Sequence, residues 1–142
     1  MSEDAGSLSF ELNGTAPELS GQVCEGFVCQ ALRCEGKEAS AHISYLQFNG
    51  TWHRLYFEYH IVFWRPVGAV MNPWDLPVET SDIWFTDVGT LAGIIDQKLA
   101  SYEMLATERG SKVAFHFAKG RSIVIEDRDD LACYSIVQDE AV

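Results

Sequence analysis

A chain of 142 residues with 47% hydrophobic content is long enough for one domain around one core and too short for two of ordinary size. Ten Lys and Arg stand against 21 Asp and Glu, a formal charge of −11, which excludes partners that must be neutralised by cations, namely nucleic acid and anionic membrane. Such a charge keeps a protein soluble, or steers a basic partner towards it.

Residues 1–7 are expected to fray. They carry acidic groups where a signal peptide would be basic, and no apolar segment follows, so the expected compartment is the cytoplasm. No stretch approaches the roughly 18 apolar residues of a membrane-spanning helix. Leu8, Phe10 and Leu12 alternate with polar residues and stop at Asn13-Gly14, a first strand and turn. Asn13-Gly14-Thr15 and Asn49-Gly50-Thr51 both match the glycosylation sequon and are read as turns. After a loop at 15–21, residues 22–33 form a second strand.

Cys24, Cys29 and Cys34, with Cys133 far downstream, do not fit the paired spacing of zinc sites. On an extended strand the odd spacing sends Cys24 and Cys29 to opposite faces. Buried free thiols are expected, with no metal and no cofactor.

Residues 41–48 and the run that follows Asn49-Gly50 form a hairpin, because both central positions of a type I′ turn require positive φ. Read as one continuous strand, the run puts His53, Leu55, Phe57, Tyr59, Ile61 and Phe63 on a core face. Trp52, Arg54, Tyr56, Glu58, His60, Val62 and Trp64 fall on the opposite, amphipathic face. His53 reads as a hydrogen-bonded core residue. Residues 66–80 hold three of the four prolines together with Met71 and Trp74; they either pack back as a lid or present apolar groups to a partner.

A short strand at Ile83, Trp84 and Phe85 leads to a helix over 87–109, capped by Asp87 and closed by Gly110. Its apolar stripe comprises Val88, Leu91, Ile94, Ile95, Leu99, Tyr102 and Leu105. Strands at 112–118, 121–126 and 132–137 complete a meander. The expected fold is α+β: a single, mostly antiparallel sheet of about seven strands, with the long amphipathic helix packed on one face.

Chemistry-bearing patterns are sparse. Glu58 and His60, two apart on one strand, admit an acid–base pair or an ordinary polar face. No serine lies in a nucleophile elbow, and Glu126-Asp127-Arg128-Asp129-Asp130 lacks the ligand spacing of a calcium loop. The candidate binding residues are Trp52, Arg54, Tyr56, Glu58, His60, Trp64, Met71 and Trp74, since Trp, Tyr and Arg dominate interface hot spots. They favour a non-catalytic protein-binding domain. The alternative is a small-molecule-binding or hydrolytic enzyme with a pocket between helix and sheet, using Glu58, His60 and His116.

In general layout, with FNGTWHRLYFEYHIVFWR, a single helix and the closing VAFHFAKGRSIVIEDRDD hairpin, the chain resembles the small acidic immunity proteins of bacterial polymorphic toxin systems. That resemblance implies a basic toxin as partner, with acidic residues steering it and Trp74 or Trp52 anchoring it.

Overall fold

The computed structural model describes residues 9–32, 40–67 and 83–138. Ten strands run in order through Glu11–Asn13 (β1), Cys24–Leu32 (β2), Ile43–Phe48 (β3), Thr51–Glu58 (β4), Ile61–Val67 (β5), Ile83–Asp87 (β6), Leu99–Thr107 (β7), Gly110–Phe117 (β8), Arg121–Arg128 (β9) and Leu131–Gln138 (β10); a five-residue helix, Val88–Ala92 (α1), sits between β6 and β7. The strands form a six-stranded sheet ordered β1-β5-β4-β3-β2-β6 and a four-stranded sheet ordered β10-β9-β8-β7. Among the described residues all strand pairings are antiparallel except that of β1 with β5. Isolated bridges Val23↔Lys98 and Ser40↔Cys133 stitch the two sheets at two corners.

This overturns the expected α+β fold. Among the described residues the protein is mostly β with two sheets, and it has one short helix instead of a long amphipathic one. The helix starts as foreseen: Asp87 caps it, accepting from the Thr90 backbone N–H at 3.2 Å and from the Thr90 hydroxyl at 2.7 Å. Gly93, left-handed at φ 72°, then ends it after five residues. Leu91 and Leu105, two members of the supposed stripe, are 61% and 38% exposed. Gly110 closes no helix and opens β8.

The layer covering the six-stranded sheet is therefore the second sheet. Phe27, Leu46, Phe48, Leu55, Val62 and Trp64 meet Val113, Phe115, Phe117, Ile123 and Ile125 in one buried cluster. Phe27 meets Phe115 edge to face with ring centroids 5.4 Å apart, and Trp64 meets Tyr102 at 5.8 Å. Cys24 and Cys29 both enter this core, because a bulge between Cys24 and Gly26 offsets the alternation that would have separated them. Both are free, and burial pushes each thiol up to about 12.

The run after Asn49-Gly50 is also two strands where one was expected. Tyr59 and His60 adopt φ of 48° and 65° and form a second two-residue turn, with Glu58 opposite Ile61. Paired residues share a face, so everything beyond the turn exchanges sides. Val62 and Trp64 join Leu55 in the core, whereas Ile61, Phe63 and Arg65 share the face of Trp52, Arg54 and Tyr56. Two backbone-mediated bonds hold the turn: Tyr59 N–H donates to Asp130 Oδ1 at 3.1 Å, and Glu11 N–H to His60 O at 2.9 Å.

Candidate functional site

The face of the six-stranded sheet turned away from the four-stranded one carries Trp52, Arg54 and Tyr56 from the groups foreseen for binding. Strand register arranges them in rows. One row runs Gly26, Gln47, Trp52, Val67; the next runs Asp87, Val28, Tyr45, Arg54, Arg65. Val28, Tyr45 and Trp52 form a small buried cluster, with Ile43, Val67 and Phe85 packed against it. Gly26 lies against the outer edge of the Trp52 indole, where a Cβ would come within 2.7 Å of the ring.

Beyond that cluster the aromatic groups become accessible. Tyr56 and Phe63 stack with centroids 4.7 Å apart and planes 3° from parallel. Arg54 lies over Tyr56 at 5.6 Å and Arg65 over Phe63 at 5.7 Å. The two arginines are direct cross-strand partners, a like-charge placement that destabilises a strand pair unless something compensates. Arg65 is anchored by Asn13 Oδ1, Asn13 O and Trp64 O. Arg54 Nε is buried without a hydrogen-bond partner. Among the described residues neither arginine forms an ion pair. Tyr45 beside Arg54 donates to Gln30 Oε1 at 3.3 Å. Burial raises the phenol above its usual range, with Arg54 opposing the rise.

A groove of about 250 Å³ opens at this end, lined by His42, Ile43, Arg54, Tyr56 and Phe57. Another, of about 400 Å³, lies on the four-stranded sheet between Arg109, Arg128 and Leu131. Its arginines are engaged: Arg109 pairs with Asp129, and Arg128 Nε meets Glu126 at 3.1 Å.

The eight residues foreseen for binding separate. Arg54 and Tyr56 lie together on the outer face, and Trp52 lies on it at 7% exposure. Trp64 is 1% exposed in the core, its indole N–H directed at Met104 sulfur at 3.4 Å. Glu58 ends β4, while His60 occupies the turn tip and Nδ1 donates to Gly110 O at 3.2 Å, so the two do not share a strand. Met71 and Trp74 lie outside the described residues, as does the 66–80 loop from residue 68 onward. His53 is half-buried, and burial lowers its pKa. Phe63 and Arg65 complete the surface. The sequence hid them behind the unrecognised turn at Tyr59-His60.

His116 has partners that sequence spacing did not reveal. Nε2 donates to Glu103 at 3.2 Å, and Nδ1 shares a hydrogen bond with the Ser122 hydroxyl at 2.9 Å. Serine, histidine and carboxylate in line invite comparison with a hydrolytic triad. Ser122, however, is only 4% exposed beneath the ring, so the arrangement reads as a cross-strand polar ladder. Among the described residues no group of three His, Cys, Asp or Glu side chains could hold a metal ion, and no helix is long and apolar enough to cross a membrane.

No protein-family model matches the chain, and no match was found among the curated proteins or the solved structures compared with it.

Proposed function

We propose that this protein is a non-catalytic protein-binding domain whose contact surface is the outer face of β4 and β5. The observation that carries this proposal is the ladder of Arg54, Tyr56, Phe63 and Arg65, in which each guanidinium covers an aromatic ring and the two rings stack. Arg and Tyr are over-represented where binding energy concentrates, and a rigid sheet presents them with little ordering entropy. The net charge of −11 suits a basic partner, drawn in at long range. An immunity protein that neutralises a basic toxin fits both features. Cytoplasmic residence belongs to the same proposal, and the free buried thiols Cys24 and Cys29 accord with it.

The test is binding of the purified protein to basic proteins encoded beside its gene. Association should slow as salt rises, and Tyr56→Ala or Phe63→Ala should each weaken a complex by about 2 kcal/mol, roughly thirtyfold. Finding no partner in that set, together with hydrolase turnover abolished by Ser122→Ala and His116→Ala, would replace this function with an enzymatic one.

A further inference from the structure

We infer that Arg54 receives a side-chain carboxylate, Asp or Glu, from the partner protein, seated in the groove beside Tyr56. The inference rests on the protein-binding function proposed above and names the chemistry its surface selects. Cross-strand pairing sets Arg54 and Arg65 against each other, and among the described residues no carboxylate pairs with either. Arg109 and Arg128 both have carboxylate partners, and Arg121, half-buried like Arg54 and Arg65, donates to the Ala92 carbonyl. Among the described residues the Arg54–Arg65 pair is thus a cationic spot without a carboxylate, and an incoming anion relieves its repulsion.

Three features narrow the anion to a carboxylate on a protein. Arg54 sits over Tyr56 with its guanidinium carbon 5.6 Å from the ring centroid, and its Nε is buried without a hydrogen-bond partner, an unspent donor that suits a planar two-oxygen acceptor. The groove, about 250 Å³, falls below the roughly 300 to 1,000 Å³ of small-molecule pockets and suits a single side chain. Its walls include Ile43, Tyr56 and Phe57, which strengthen a charge-assisted hydrogen bond by excluding water. A nucleic-acid phosphate is disfavoured by the surrounding negative charge, because two cations cannot offset a net −11 along a polyanion.

Two capped dipeptides, acetyl-Phe-Glu-amide and acetyl-Phe-Gln-amide, test this without any partner in hand. They are titrated at constant ionic strength into the full chain labelled with nitrogen-15, while the arginine Nε–Hε resonances are followed. The glutamate peptide should shift the Arg54 resonance saturably in the millimolar range, at least about tenfold more tightly than the glutamine peptide. Arg54→Gln should abolish binding and Arg54→Lys weaken it, whereas Arg128→Gln leaves it unchanged. Backbone spectra of each variant verify the fold, and Arg65→Gln supplies a second route should Arg54→Gln misfold. Equal response to both peptides, shifts spread over all arginines, or an equal midpoint with inorganic phosphate would overturn the inference. Such a result leaves salt-dependent capture of a basic partner intact, so the two failures are distinguishable.

Discussion

Replacing Tyr59 with asparagine should stabilise this protein, although it deletes an aromatic side chain. Tyr59 is held at φ 48° in the turn between β4 and β5, and a left-handed conformation costs an ordinary side chain roughly 1–2 kcal/mol. Asparagine tolerates that region because its short amide bonds locally to the backbone. The ring returns little, since at 72% exposure it recovers about a quarter of the ~2 kcal/mol available from full burial, or ~0.5 kcal/mol. The hydrogen bond to Asp130 comes from the backbone N–H and survives the change. The net gain is about 0.5–1.5 kcal/mol, a rise of roughly 2–5 °C in Tm for a chain of this size. Reversible thermal unfolding followed by circular dichroism measures it. His60→Asn is the internal control: it relieves similar strain at φ 65° but loses the bond to Gly110 O, worth about 1 kcal/mol, so its Tm should barely move. A Tyr59→Asn protein that melts at or below the parent temperature would refute the argument, because the turn would then carry no strain to release.

Gly110→Ala should be severely destabilising, by about 3 kcal/mol or more in urea unfolding, since its Cβ would lie 2.2 Å from the Asp127 carbonyl oxygen, a backbone atom that cannot move aside. Gly26→Ala meets only the edge of the Trp52 ring, at 2.7 Å, and should cost about 1–3 kcal/mol with a change in tryptophan emission. Asp127 is 2% exposed, and burial, then Asp130, push its carboxyl up to about 6, with His60 opposing. A folded-state pKa above the unfolded value makes this group's contribution fall as pH rises from about 4 to about 6. Asp127→Asn should therefore unfold like the parent near pH 4 and be more stable at pH 8, by at most about 3 kcal/mol; equal stability at both would exclude the effect. In thiol titration of the folded protein, Cys133, half-buried, should react while Cys24 and Cys29 stay silent until denaturant is added.

What the sequence disclosed depended on which periodicities were unambiguous. Strands β2, β3, β8, β9 and β10 were legible because β-branched and aromatic residues alternate through them, and Asn49-Gly50 announced its turn. Tyr59-His60 carries no such signal. Its geometry is imposed by bonds to Asp130, Gly110 and Glu11, all remote in sequence. The long helix failed for a different reason. Tyr102, Met104 and Ala106 alternate with Ser101, Glu103 and Leu105, a strand pattern that was already present. The bulge at Ala100 put Leu99 out of step with it, and a helical spacing accommodated all the apolar positions at once.

The same missed turn decided how much of the candidate site could be read. One extra reversal moved Trp64 from the presumed binding face into the core and brought Phe63 and Arg65 out to join Arg54 and Tyr56. The surface thereby changed from an aromatic face with scattered charges to a compact cationic one. That separates two electrostatic roles. The net charge of −11 acts over distances that salt screens beyond roughly 8 Å, so under the proposed function it would govern the rate of encounter with a basic partner. The arginine pair would act only at contact, where desolvation would make its hydrogen bonds strong. Lysine substitutions of remote surface acids should consequently slow association and spare complex lifetime, while changes at Arg54 shorten lifetime and spare association.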